Sequence, residues 1–420
     1  MTQSRRLRVA LMLAGLGVAL VPTMAPHFIA PAYAEDKDKD KAKAIRPELL
    51  KPIVAAQTAN KDKKYEDVIS ALADTDKVTD KTPYEAFLVG QFRAIAYQNL
   101  GNKAEYFKNL IIMAEYDAAD PADHIKWVQA VVGNYYNAKD YPNAAIWAQR
   151  YVKDGGTDPQ ILQILADAYY LSGDYANAEA ELTKQIAATE AAGKKPSEED
   201  LHMLISCYVK QKDDNGYVKV MEKWAVDYPS KDHWRDLVGR VEGKPGFADR
   251  LVLDVDRFEK SVGALENTDY LEWAQFAMDA GLPAEAKSVF DAGVQAGAIN
   301  PAAQKQLSDR ITKLANDDQK ALAQGDADLA KAKDGNPFVN DGSNYLNYGQ
   351  YDKGASLIEQ GIAKGGLKHP DDAKLHLGYA YYLAGQKDKA VEAFRTVGGN
   401  EGAAGMARLW ILFITGKADA

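Results

Sequence analysis

Cysteine is almost absent from this chain of 420 residues, since Cys207 is the only one. The chain therefore forms no internal disulfide, and Cys207 itself is expected to fill part of the core. Positive charge is also in deficit, with 51 Lys and Arg against 60 Asp and Glu and a formal net charge of −9. This acidic balance argues against nucleic-acid binding, because phosphate contacts need a basic surface.

Motifs for catalysis and for metal binding are missing as well. The sequence has no His-Glu-x-x-His, no Gly-x-Ser-x-Gly, no Walker loop and no paired cysteines. Its histidines lack the spacing of metal ligands on one helical turn. A calcium loop over residues 211–222 would put the neutral Gln211 at the first ligand position, which argues against it. We therefore expect no catalytic residue, no metal and no cofactor, so the protein is predicted not to be an enzyme.

The first 34 residues have the pattern of a secretory signal peptide. Three arginines among the first eight residues precede an apolar stretch over 9–21, and Ala32-Tyr33-Ala34 forms a cleavage site. Residues 35–47 are rich in alternating charges and predict a flexible tether. The sequence thus predicts an exported bacterial protein in the periplasm, with the Sec and twin-arginine routes, and a retained anchor, left open.

Beyond residue 45 one spacing of small, aromatic and glycine residues recurs, and no alternating β-branched run predicts a sheet. Apolar residues three and four apart share a helical face, a small residue lets a second helix approach, and glycine permits the turn. The spacing therefore predicts antiparallel helix pairs. Two copies that match position by position are Leu165-Ala166-x-x-Tyr169-x-x-x-Gly173 with Ala178 and Leu182, and Leu377-Gly378-x-x-Tyr381-x-x-x-Gly385 with Ala390 and Phe394.

This pattern resembles the tetratricopeptide (TPR) repeat, which has a period of about 34 residues. Tyr135 and Tyr169 are 34 residues apart, and the resemblance covers most of residues 49–399. It implies an all-α fold, a right-handed superhelical solenoid of antiparallel helix pairs with a C-terminal capping helix. It also implies that the first helix of each pair lines a concave groove.

Breaks in the pattern divide the chain into segments. After the signal peptide (1–34) and the tether (35–47), residues 48–230 predict an N-terminal TPR-like array, 231–335 degenerate helical repeats, and 336–401 C-terminal TPR-like units. Residues 402–420 predict the capping helix and a tail, because Met406, Leu409, Trp410 and Phe413 make this segment strongly apolar. The apolar residues cover more than one face, so contact with a partner or a membrane stays open as an alternative.

The resemblance also implies which side chains line the groove, namely those three before and one, four and five after the small residue. They are mainly amides and tyrosines, which form a neutral surface suited to an extended backbone. Lys126 and Lys210 are among its few cations, so an acidic peptide tail is not the expected ligand. The implied groove residues are Gln91, Gln98, Asn99, Gln129, Tyr136, Asn137, Gln163, Tyr170, His202, Tyr379 and Tyr382.

Together these features predict a non-enzymatic periplasmic TPR scaffold that binds a protein or an extended peptide in its groove. By analogy with similar exported proteins, it would be an accessory factor of an envelope assembly, secretion or TonB-type transport complex. Two alternatives stay open, a structural subunit docked to a membrane complex through the C-terminal apolar helix and a carbohydrate-binding module. Nucleic acid is not an expected partner, membrane contact is expected to be indirect, and the oligomeric state is left open.

Overall fold

The computed structural model describes residues 44–324 and 329–417. The predicted signal peptide and most of the predicted tether lie outside these residues. The described residues form α-helices, short 3-10 helices and turns, and no strand occurs among them. The prediction of an all-α fold built from helix pairs is therefore confirmed. The chain divides into two compact units, unit 1 up to Ala188 and unit 2 from Thr189.

In unit 1 the described helices form four pairs, and consecutive helices lie against each other. A proline opens the first helix of each pair, where its missing N–H is not needed for helical hydrogen bonds. The last turn of the eighth helix already belongs to unit 2. The helices are α1 (Pro47–Lys61), α2 (Tyr65–Leu72), α3 (Pro83–Asn99), α4 (Lys103–Ala114), α5 (Pro121–Asn137), α6 (Tyr141–Lys153), α7 (Pro159–Ser172) and α8 (Tyr175–Ala191).

In unit 2 most consecutive helices again pack side by side. The connection between the third and fourth helices is irregular and contains a 3-10 helix, Asp249–Leu251. The described helices are α9 (Glu198–Gln211), α10 (Asp214–Asp227), α11 (Lys231–Glu242), α12 (Val252–Ser261), α13 (Asp269–Asp279), α14 (Pro283–Gln295), α15 (Lys305–Gln324), α16 (Asn336–Asn347), α17 (Tyr351–Lys364), α18 (Pro370–Leu383), α19 (Lys387–Arg395) and α20 (Ala403–Thr415).

One turn conformation joins the two helices in eight of the described pairs. In each, one residue has a positive φ, and the backbone N–H of the next residue donates to the carbonyl five positions earlier. The turn glycines predicted at Gly173 and Gly385 are confirmed, with φ of +84° and +74°. Lysine stands at this position in three pairs, although a side chain is strained there. The eight residues are Lys63, Gly101, Lys139, Gly173, Lys212, Gly281, Gly349 and Gly385.

The small residues of the pattern lie where the two helices of a pair approach closely. A Cβ atom on Gly378 of α18 would fall 2.4 Å from Cε1 of Phe394 on α19. In the α7–α8 pair, Ala166 and Ala178 are fully buried. Close packing between the paired helices therefore depends on these small residues, as the sequence predicts.

The last helix, α20, brings the two ends of unit 2 together. It packs against α18 and α19, as expected of a capping helix, and also against α10, α11 and α12. Arg408 of α20 donates two hydrogen bonds of 2.8 Å to the buried carboxylate of Glu222 on α10. Just before α20, the carbonyl of Glu401 accepts from the N–H of Ala248. The last helix thus caps α18 and α19 as predicted, and it also closes unit 2 against α10, α11 and α12, a contact that the sequence did not indicate.

The apolar residues of α20 are directed into unit 2. Met406, Leu409, Trp410 and Leu412 are buried, and the ring of Phe413 lies 5.8 Å from that of Trp234 on α11. Burial of this surface explains why the segment is apolar on more than one face. Among the helices that the structure describes, none has the length and apolar character needed to cross a bilayer.

Candidate partner-binding face

The repeat register places eight of the predicted groove residues on three first helices of unit 1, namely α3, α5 and α7, and seven of these reach the surface. Two of them, Asn99 and Asn137, are exposed, and the other five are half-buried. Amide and phenol groups at these positions offer both hydrogen bonds and contact area. We call this set the first-helix face; it consists of Gln98, Asn99, Gln129, Tyr136, Asn137, Gln163 and Tyr170.

Hydrogen bonds within α7 and between α5 and the α7 segment hold part of the first-helix face in place. The hydroxyl of Tyr136 on α5 donates to Oδ2 of Asp167 on α7 at 3.0 Å, and Gln163 donates to Oδ1 of the same carboxylate at 3.0 Å. Gln129 donates to Oδ2 of Asp158, the residue that caps α7, also at 3.0 Å. The α5 side chains are therefore oriented by residues at the start of α7 and within it.

Aromatic contacts support the same face. The ring of Tyr136 meets that of Tyr141 edge to face with centroids 5.7 Å apart, and Tyr170 meets Tyr175 in the same way at 5.6 Å. Each contact joins the end of a first helix to the start of the second helix of its pair. Leu171, next to Tyr170, is 41% exposed. The end of α7 thus presents an apolar contact beside an ordered phenol.

Asp158 and Asp167 are the side chains of this region that the sequence analysis missed. Asp167 lies one position after the small Ala166. That position lines the groove in the repeat, so the register could have identified Asp167. Asp158 looks in the sequence like a helix cap, and it does accept from the N–H of Gln160 at 2.9 Å. The sequence predicted a neutral surface, and the carboxylates of Asp158 and Asp167 make this part of it acidic.

The other four predicted residues do not contribute to this face. Gln91 is 3% exposed inside unit 1, so its side chain has almost no surface for contact. His202 is exposed on α9 of unit 2, with its ring 5.8 Å from an indole of α10. Tyr379 and Tyr382 lie against Trp410 of α20, with centroid distances of 5.5 and 4.8 Å. These four are not part of the first-helix face, because of burial, position or contact with α20.

A buried ionic network lies where α12 meets α14 and α18 in unit 2. Arg257 donates to the two carboxylate oxygens of Glu285 at 2.8 and 2.6 Å and to Oδ1 of Asp254 at 2.9 Å. Nε2 of His376 lies 3.1 Å from the same Oδ1. Burial would raise the pKa of Asp254, but its contacts with His376 and Arg257 hold that pKa below its usual range. Each charge has an opposite partner, so the network connects helices and has the character of a structural element.

Two further acids of α12, Asp256 and Glu259, are less well paired. Oδ2 of Asp256 is buried and has no hydrogen-bond partner in the part of the chain that the structure describes. Burial, helped by the charges of Glu259, Asp269 and Glu285, raises the pKa of Asp256 to about 8. Burial also raises the pKa of Glu259 to about 7, although Arg235 lies 3.5 Å away. Both carboxyl groups therefore titrate near neutral pH.

The described residues contain no group of three or more His, Cys, Asp and Glu placed to hold a metal ion. Side chains of the segment that partly matches a calcium loop are engaged elsewhere. Asp213 caps α10 by accepting from the N–H of Asn215 at 3.1 Å and of Gly216 at 3.0 Å, and Glu222 pairs with Arg408. Cys207 is buried, which agrees with its predicted place in the core.

Known structures that are similar to this chain share little sequence identity with it. No protein-family model matches the sequence, and no curated protein matches it at a significant level. A chain in the structure of Naa15/Naa10 bound to HypK-THB is similar at 13% identity and a TM-score of 0.27, and the match covers 90% of this chain and 62% of that one. Yeast Tom70 is similar at 13% identity and a TM-score of 0.22, with 91% and 96% covered. Both TM-scores lie below 0.5, so these likenesses carry no conclusion about the function of this chain.

Proposed function

We propose that the protein is a non-enzymatic scaffold that binds a protein or an extended peptide on the first-helix face of unit 1. The observation that carries this proposal is the hydrogen-bonded arrangement in which Tyr136 and Gln163 share the carboxylate of Asp167. Side chains that are already ordered lose little entropy when a partner arrives. Tyrosines add contact area with few rotatable bonds, and amides pair with an extended backbone.

The N-terminal sequence supports a periplasmic location within this proposal. Its arginines, apolar stretch and Ala-x-Ala site are the features that direct export and cleavage. In that compartment the scaffold would act as an accessory factor of an envelope assembly, secretion or TonB-type transport complex. This assignment of a process rests on the resemblance to exported TPR proteins.

The two alternatives differ in how they fit the observed contacts. Docking of a membrane complex through α20 would require its apolar residues to leave the core of unit 2, where Trp410 is 1% exposed. A carbohydrate ligand would use the same tyrosines and amides as a peptide. Binding assays with envelope glycans separate that alternative from the proposed function.

Photo-crosslinking from Leu171 tests the face directly. A photoreactive amino acid replaces Leu171 on α7, or, as the control, Ile146 on α6, which is 59% exposed. In cells of the native host we expect a discrete protein adduct from position 171 and none from position 146. Absence of an adduct at position 171, or the same adduct at both positions, contradicts the proposal.

Substitutions on the first-helix face then measure how strongly the crosslinked partner protein binds. Tyr136→Ala combined with Tyr170→Ala should weaken binding by about tenfold or more, because buried tyrosines dominate many interfaces. Tyr136→Phe is the matched control, which keeps the ring and loses only the donor to Asp167. The double variant should lose about 1–2 kcal/mol of stability with that hydrogen bond and its ring packing. A folded double variant that binds normally would rule out the first-helix face.

A further inference from the structure

α12 occupies a central place in the closure of unit 2. It packs against α11 and α13 and also against α20, where the ring of Phe258 lies 5.1 Å from that of Trp410. Its charged residues Asp254 and Arg257 reach α18 and α14. A change in the charge of α12 therefore acts on the helices that join the two ends of the unit.

Acids outnumber cations around Asp256 and Glu259. Arg235 lies 2.8 Å from Asp269 and 3.5 Å from Glu259, so its stronger contact is with Asp269. Arg257, the cation that acts on Asp256, is engaged by Glu285 and Asp254. The charged groups that face these two acids are Arg235 and Glu242 from α11, Glu266 from the α12–α13 connection, Asp269 from α13, Glu285 from α14 and Arg257 from α12 itself. Two further charged groups on helices packed nearby are paired with other acids: His376 of α18 with Asp254, and Arg408 of α20 with Glu222.

We propose that the closure of unit 2 depends on protonation. While Asp256 and Glu259 are neutral, α12 holds α20 in place, and loss of their protons loosens the contact between these two helices. Ionised Asp256 would leave a buried carboxylate oxygen without a hydrogen-bond partner among the described residues. It would also stand next to ionised Glu259 and Asp269, and like charges repel at short range. An alkaline medium thus loosens unit 2, and a mildly acidic one keeps it closed.

The pKa values give the direction and the size of the effect. Asp256 has a pKa of about 8 in the folded chain, whereas an unfolded Asp has one of about 3.9. The folded state binds this proton more tightly, so the stability of unit 2 falls as the pH rises through that interval and levels off above it. Between pH 6 and pH 8 Asp256 alone raises the unfolding equilibrium constant roughly ten- to a hundredfold.

The single thiol measures this opening in the full chain, because Cys207 is fully buried in α9 of unit 2. The rate of labelling by a thiol reagent is compared between wild type and a variant with Asp256→Asn and Glu259→Gln, at equal pH so that thiol ionisation cancels. The ratio of the wild-type to the variant rate should grow roughly ten- to a hundredfold from pH 6 to pH 8.5. Asp279→Asn, at an exposed position of α13, is the matched control and should follow wild type at both pH values. A ratio that stays constant, or that falls, overturns the proposal.

Hydrogen exchange provides a second measurement, directed at α20. At pH 8.5 the backbone amides of α20 should exchange faster in wild type than in the double variant, while those of α3 in unit 1 exchange alike. If the double variant does not fold, a measurement on the wild-type chain alone still tests the proposal. Its urea midpoint for exposure of Cys207 should be lower at pH 8.5 than at pH 6, and the opposite order refutes the mechanism.

Discussion

Replacing Trp410 by alanine should open unit 2, because this side chain fills the space where its two ends meet. Five aromatic rings from α12, α18, α19 and α20 lie with centroids 4.8–6.3 Å from that of the indole. The side chain is 1% exposed, and truncating a buried tryptophan to alanine costs about 3–5 kcal/mol. A whole domain is typically stable by only about 5–15 kcal/mol, so the loss is a large share.

Urea unfolding measures this loss, with labelling of Cys207 as a separate report on unit 2. Trp127→Ala is the matched control, since Trp127 is also buried, at 4% exposure, but lies in unit 1. We expect Trp410→Ala to lower the midpoint at which Cys207 becomes reactive and Trp127→Ala to leave that midpoint nearly unchanged. A loss below about 1 kcal/mol in Trp410→Ala would refute the closed arrangement, because a packed indole cannot be removed so cheaply.

Two further predictions concern the repeat turn and export. Lys139→Gly should stabilise unit 1 by about 1 kcal/mol in thermal unfolding, because glycine relieves the positive φ of +60°, whereas Lys139→Ala keeps the strain and should give no such gain. Expression in a bacterial host followed by N-terminal sequencing of the periplasmic fraction should give a chain that begins at Glu35; a full-length chain confined to the cytoplasm contradicts the predicted export.

The parts of the fold that depend on local spacing could be predicted from the sequence. Gly173 and Gly385 mark turns whose geometry is fixed within six residues, and Ala166 and Gly378 mark the helix contacts beside them. The positive φ at Lys139 could not be predicted, because lysine carries no preference for that conformation. Local signals therefore identify the helix pair and fail where an ordinary residue occupies a special conformation.

Contacts between distant segments were beyond the sequence. The bond from Tyr136 to Asp167 needs the relative rotation of two first helices, which the repeat period alone does not give. The buried network around Arg257 looks in the sequence like a solvated charged surface, because charged residues are rarely buried. The contact of Arg408 with Glu222 joins residues 186 positions apart, and no periodic pattern links them.

The closure of unit 2 by α20 has a consequence for the order of folding. Helix pairs of unit 1 make their contacts with near neighbours in the sequence, so each can form soon after it leaves the ribosome. The contacts of α10, α11 and α12 with α20 cannot form until almost the whole polypeptide has been synthesised. Until then the aromatic residues around Trp410 remain uncovered, and a chaperone that shields them would matter most during this interval.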